Sequence, residues 1–148
     1  MNTADSSIQI PHTPGCAFCD YLAGRRPFTI LERRELSAAL ITREQRGLGH
    51  VLVIPVNHRE TVLDLNEAEG TALMSHMIRV SRAVAEFTES SGIAIWQNNG
   101  VSADQTIPHV HFHIAGTLPD GGTDWGEVAE LSLAETGRIA SNLRKFLP

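Results

Sequence analysis

Apolar and polar residues alternate along several short stretches of the chain and recur at helical spacing along one long stretch. Segments 28–32 and 35–41, rich in Ile, Leu, Phe and Ala, flank Arg33-Arg34 and predict a β-hairpin. His50-Val51-Leu52-Val53-Ile54 is a β-branched run halted by Pro55, the pattern of a buried strand. Between 66 and 90, Leu73, Met77, Val80, Val84 and Phe87 recur at steps of four, three, four and three, giving a long helix one apolar stripe. Asn66 is a suitable N-cap, Glu67 and Glu69 suit the positive end of the helix dipole, and Gly92 is expected to stop the helix. Strands follow at 93–97 and 109–115, separated by a loop that opens with Asn98-Asn99-Gly100. Beyond a Gly/Pro/Asp loop at 118–126, Ser132 and Glu135 form a capping-box pattern for a last helix with Ile139, Leu143 and Phe146 on one face.

The order β-β-β-α-β-β-α, with short strands and few crossovers, predicts an α+β fold. We expect a mostly antiparallel five-stranded sheet, one long helix and a C-terminal helix. Residues 1–15 are polar, carry Pro11 and Pro14, and read as a flexible N-terminal arm; residues 16–148 read as one domain. With 148 residues, 42% of them hydrophobic, the chain can bury a core without staples, and disorder is excluded.

Charge narrows the partners. Seventeen acidic groups against twelve basic ones give a net charge of −5, so nucleic acid is not an expected partner. Arg25, Arg26, Arg33, Arg34, Arg43 and Arg46 are spread over the hairpin and the loop after it, the pattern of a solvated face. No apolar run reaches the 18 residues of a membrane span, and the N-terminus has no basic start followed by an apolar stretch. The cytoplasm is therefore the expected location, where Cys16 and Cys19 stay reduced.

Seven histidines stand out, three of them within five residues. Alternation along a strand puts His109, His111 and His113 on one face and Val110, Phe112 and Ile114 on the other. Such a row suits metal ligation or a nucleophile with helpers; the bland alternative is a polar strand facing solvent. Cys16 and Cys19 are open to a free-thiol, a redox or a metal-binding reading.

The run His109-Val110-His111-Phe112-His113-Ile114-Ala115 resembles the active-site motif of the histidine triad family of nucleotide hydrolases and transferases. Cys16-Ala17-Phe18-Cys19 is similar to the opening of its zinc-containing, Hint-like, bacterial-type branch. Residues 49–58, Asn98-Asn99-Gly100 and Gln105-Thr106-Ile107 resemble further family segments, in order and at fitting distances.

The resemblance implies a nucleotide phosphohydrolase or nucleotidyl transferase, acting on a nucleoside phosphoramidate or a dinucleoside polyphosphate. His111 would be the nucleophile, forming a nucleotidyl-histidine that water resolves, with His113 beside it at the phosphate. Asn98, Gln105 and Thr106 would donate hydrogen bonds to substrate, and His50 would support the triad or touch substrate. Cys16, Cys19, His58 and His109 would hold a structural zinc, and a homodimer is expected.

Two positions depart from the family pattern. Thr42 stands where many relatives carry the acidic residue that holds the ribose hydroxyls. Asp104 replaces the usual Gly before Gln105. Both keep a binding module with weak catalysis open as an alternative, beside a metal-dependent hydrolase that uses the triad as ligands. His12 and His76 are given no role.

Overall fold

The computed structural model describes residues 7–148. It consists of α1 (Ala17–Leu22), β1 (Ile30–Arg33), β2 (Ser37–Ile41), β3 (Leu48–Pro55), α2 (Glu67–Thr88), β4 (Ile93–Trp96), β5 (Phe112–Gly116) and α3 (Leu133–Arg144). The strands form one antiparallel sheet in the order β1-β2-β3-β5-β4. This is the expected α+β architecture with five strands, the long helix and the C-terminal helix. The last strand in sequence lies inside the sheet, because α2 carries the chain past one strand position before β4 begins.

Period-two alternation divides the sheet between two cores. Ala39, Ile41, Val51, Val53 and Ile114 point to one face and pack against Leu73, Met77, Val80 and Val84 of α2 and Ala140 and Leu143 of α3. The stripe read from the sequence is therefore the buried stripe. On the opposite face Ala38, Leu40, Leu52 and Ile54 pack against Phe18 of α1. The histidine row lies on this second face, where the covering layer is thin.

Local chemistry explains most element ends. Asn66 accepts from the Glu69 N–H at 2.8 Å while Glu69 accepts from the Asn66 N–H at 3.1 Å, a capping box. Ser132 and Glu135 repeat the device at α3. The stop of α2 differs from expectation: Glu89, at φ 52°, takes the left-handed position, and Gly92 lies in the turn beyond. The short helix α1 was not foreseen. Its N-cap is Cys16, whose Sγ accepts from the Cys19 N–H at 3.3 Å.

The predicted strand at 109–115 also begins later, at Phe112. The backbone before it leaves the ladder: the Val110 N–H donates to Arg59 O at 2.8 Å and the His109 N–H to Ile107 O at 2.8 Å. Residues 1–6 of the expected arm lie outside the described residues. The remainder of the arm is docked, with the Val101 N–H donating to Gln9 O at 2.8 Å. Gly100, at φ 91°, lets this contact form, since a Cβ there would meet Ile8 at 2.7 Å.

His76, given no role from the sequence, is fully buried and stitches α2 to the hairpin. Its Nδ1 lies 2.7 Å from Ser37 Oγ and its Nε2 3.0 Å from Glu32 Oε1. Arg79 closes the network on Glu32 at 2.7 Å. Burial lowers the His76 pKa below its ordinary 6.5, and Arg79 lowers that of Glu32 below 4.5. Both folded values are depressed, so both contributions are present above the unfolded pKa values and are lost as pH falls. Chemical denaturation should therefore show a level midpoint from about pH 7 to 8 and a decline below it through the carboxylate range. His76→Ala should cost about 2–4 kcal/mol through the cavity and the stranded polar partners. A midpoint that stays level down to pH 4 would contradict this account.

Candidate active site

The backbone around His109 directs each ring of the row. His109 is fully buried, and its Nε2–H donates to Pro55 O at 2.9 Å. Its Nδ1 lone pair is thereby turned toward Cys16 Sγ at 3.3 Å and Cys19 Sγ at 3.6 Å. The carbonyl of His109 accepts from Nδ1–H of His111 at 2.7 Å. That bond leaves the lone pair of His111 on Nε2.

A second chain of bonds sets His113. The Arg46 N–H donates to His50 Nδ1 at 3.1 Å, so His50 carries its proton on Nε2. This Nε2–H donates to His113 Nδ1 at 3.0 Å, which leaves His113 protonated at Nε2. The rings of His111 and His113 lie 5.1 Å apart. A nitrogen lone pair and an N–H donor therefore stand side by side on adjacent rings. Burial lowers the pKa of His50 and His109 to about 4 and also lowers those of His111 and His113. All four imidazoles are neutral near pH 7.

Packing fixes the rings in place. Phe18 lies 5.1 Å from His111 and 5.6 Å from His109. Trp96, directly across from His113 in the β4–β5 register, stacks on its ring at 4.7 Å and 5°. Gln45 clamps the neighbouring strands: its Oε1 accepts from the His50 N–H at 2.8 Å, and its Nε2 donates to His50 O at 2.9 Å and Thr42 O at 2.7 Å. Gln45, Trp96 and Phe18 were not singled out from the sequence. The usable signal was the strand period, which puts Trp96 on the face of the row.

Other expected site residues fall into two groups. Thr42 lies just past β2, across from His50, half-buried, and its Oγ1 accepts from the Glu44 N–H at 3.3 Å. Thr106 is exposed, and Asn98 is half-buried with its amide donating to Ala103 O at 2.8 Å. His50 and Gln105 are placed differently from a substrate contact. His50 is buried and spends both ring nitrogens on protein partners. Gln105 is buried too; its Nε2 donates to Glu60 O at 2.8 Å and Ile107 O at 2.9 Å, and its Oε1 accepts from the Gly100 N–H. Both amide protons thus brace the loop. Asp104 has φ 64°, the left-handed region that favours glycine and that Asp tolerates.

Cys16, Cys19, His58 and His109 converge, their ligand atoms all within 4.8 Å of one another. The closest separations, 3.3, 3.4 and 3.6 Å, match the edge of a tetrahedron around a metal with bonds of about 2.0–2.3 Å. The Nδ1 of His109, made a lone pair by Pro55, is the right donor for a cation. Burial and the Cys16 thiol push the Cys19 pKa up to about 11, a cost that a bound cation would offset. The residues fit a metal site.

Comparison with known proteins agrees with this geometry. The HIT domain family model matches residues 24–119. The chain is 35% identical over 114 residues to a Schizosaccharomyces pombe bis(5'-nucleosyl)-tetraphosphatase (asymmetrical), covering 77% of this chain and 60% of that one. It is 30% identical over 111 residues to the adenosine 5'-monophosphoramidase hnt1 of the same yeast, covering 75% and 78%. A zinc-bound histidine triad family protein from Mycobacterium smegmatis superposes with a TM-score of 0.74 at 25% identity, covering 88% and 94% of the two chains. With the family model spanning most of the chain and the triad, its carbonyl partner and the Cys/His cluster all in place, this protein belongs to the HIT domain family.

Proposed function

We propose that this chain is a nucleotide phosphohydrolase or nucleotidyl transferase whose nucleophile is His111 Nε2. The observation that carries the reading is the 2.7 Å bond from His111 Nδ1–H to the His109 carbonyl. It holds a neutral ring with its lone pair outward and steadies the positive charge that develops as the ring attacks. The new N–P bond replaces the bond to the leaving group, which departs with its electron pair, accepts a hydrogen bond from Nε2–H of the neutral His113 and takes any proton it needs from solvent. Water then cleaves the nucleotidyl-histidine. The two yeast relatives are named for dinucleoside tetraphosphate and phosphoramidate substrates, and we assign this chain to those two classes. Asn98 and Thr106 contact the phosphates in this reading, and Thr42 the ribose.

Cys16, Cys19, His58 and His109 hold a structural zinc in this reading, which places the chain in the zinc-containing branch of the family. Such an ion ties α1 to the loop after β3 and to His109, and all four of its positions are filled by protein. The triad itself does not converge on one point, since His109 turns to the sulfurs and His111 to a carbonyl, which argues against a catalytic metal there. A binding module with weak catalysis finds support in Thr42 and in the occupied amide of Gln105. We further assign residues 16–148 to a single domain and the protein to the cytoplasm, where thiolate ligands persist.

A homodimer fits the edge of the sheet. Strand β4 is an edge strand with Ile95 exposed, and Met74 and Ile78 of α2 are exposed around the same apolar cleft above Phe112. An apolar face beside an unpaired edge is suited to a second copy of the chain. Ile95→Arg should convert a dimer to a monomer in light scattering; a monomeric wild type would sink this assignment.

His111→Ala should lower turnover of both substrate classes at least about a thousandfold while the melting temperature stays within a few degrees. A substrate labelled on its nucleotidyl phosphate should label the wild type covalently and not the variant. Full activity of the variant would remove His111 as nucleophile, and binding without turnover by the wild type would favour the binding module. Elemental analysis should find one zinc per chain. Stripping it should lower the melting temperature by about 10 °C before it lowers kcat. Immediate loss of kcat at an unchanged melting temperature would place the metal in the chemistry instead.

A further inference from the structure

The two tryptophans of the sequence, Trp96 and Trp125, stand together at one flank of the histidine row. Trp96 covers His113. Trp125 comes from the loop at 118–126, its ring 5.4 Å from that of Trp96 and tilted by 54°. It is 70% exposed, the most exposed large apolar side chain among the described residues. Indole is costly to leave in water, and a ring so placed beside a reactive centre is a ready stacking surface.

The backbone that carries the ring is held rather than loose. Arg46 Nη1 donates to Asp124 O at 3.1 Å and to Gly126 O at 2.8 Å, and the Asp124 N–H donates to Arg46 O at 2.7 Å. The residues on either side of Trp125 are thus fastened to one side chain. Arg46 is also the residue whose N–H orients His50 and, through it, His113. An aromatic side chain on an anchored backbone loses less freedom when it binds than one on a free loop.

Charge selects the ligand. Glu130 is paired with Arg43 at 3.5 Å and Arg46 with Glu44 at 3.4 Å. Asp120, Asp124 and Glu127 are exposed in and after the loop, so the balance of charge is acidic and favours a neutral planar ring over a bare phosphate. Position selects which half of the substrate supplies that ring. Thr42 follows β2, whereas Trp96 is on β4, and the row lies between them in the order β2-β3-β5-β4. Strands β2 and β4 are about 14 Å apart at ordinary strand spacing. With the nucleoside that becomes attached to His111 over Thr42, the departing half extends toward the tryptophans.

We propose that Trp125, supported by Trp96, forms a stacking platform for the planar base of the departing half, which makes a dinucleoside polyphosphate a better ligand than a nucleotide with one base. The inference deepens the proposed function and rests on it for the direction of the substrate. The bonds made and broken are those already given; the platform adds binding energy on the leaving side.

Calorimetric titrations in the His111→Ala background, where ligand stays intact, test this directly. Diadenosine tetraphosphate should bind about tenfold more tightly than AMP, in line with one additional stacked base. Trp125→Ala should remove most of that ratio and Trp125→Phe should restore most of it. In the otherwise wild-type enzyme, Trp125→Ala should lower the ratio of kcat/KM for diadenosine tetraphosphate over adenosine monophosphoramidate about tenfold, chiefly through KM. Equal affinities for the dinucleotide and AMP, or an equal loss for both substrates in Trp125→Ala, would overturn the platform. A Trp125-dependent preference in binding without any turnover would keep the platform and refute the hydrolase instead.

Discussion

His109 donates its Nε2–H to the carbonyl of Pro55, turns Nδ1 to two sulfurs and lends its own carbonyl to His111. Three features depend on that arrangement. The bond to Pro55 occupies an acceptor at the end of β3, where the ladder with β5 has already stopped at Val53 and Phe112. The same bond decides which nitrogen can face a cation. The carbonyl then decides which nitrogen of the next histidine is a base. A single residue, buried and neutral, thus couples the end of a strand, a Cys/His cluster that could hold a metal, and the orientation of His111.

Much of this was legible because local rules act strongly on short segments. The Asn66 and Ser132 caps, the apolar stripe of α2 and the hairpin at Arg33-Arg34 are set by residues within a few positions of one another. The triad and the Cys/His cluster were legible through motif resemblance, which the fold and the 4.8 Å convergence then give a geometry. Spacing alone could not have preferred His58 over His50 as a ligand. What was not legible depends on distant partners. The late start of β5 follows from Val110 bonding to Arg59, about fifty residues earlier in the chain. His76 looked like background because Ser37 and Glu32 reach it only across the helix–sheet interface. Gln105 carries the right amide for a phosphate, yet nothing in its neighbours revealed that the Glu60 carbonyl would accept one of its hydrogen bonds.

The second face of the sheet shows how a reactive surface is accommodated in a stable fold. The helices α2 and α3 cover most of the first face, and the larger core is there. On the other face a six-residue helix and a few side chains cover Leu40, Leu52 and Ile54, leaving the end of the row near solvent. Histidine suits this half-buried layer, because a neutral imidazole tolerates burial when each nitrogen has a partner. Two such rings, His50 and His109, act mainly by giving direction to the rings beside them.

The placement of β5 between β3 and β4 has a consequence for how the protein is made. Residues 48–53 pair with residues 112–116, so the central seam of the sheet closes across a loop of about sixty residues. Until that segment leaves the ribosome, β3 presents an open edge and α2 has only part of a sheet to cover. Such a non-local closure is slow and leaves the nascent sheet open to wrong pairing. The strand that closes the seam carries His113 and directly follows His111, so these two rings reach their neighbours only with the last pairing of strands. Until the seam forms, His113 has neither His50 nor Trp96 beside it.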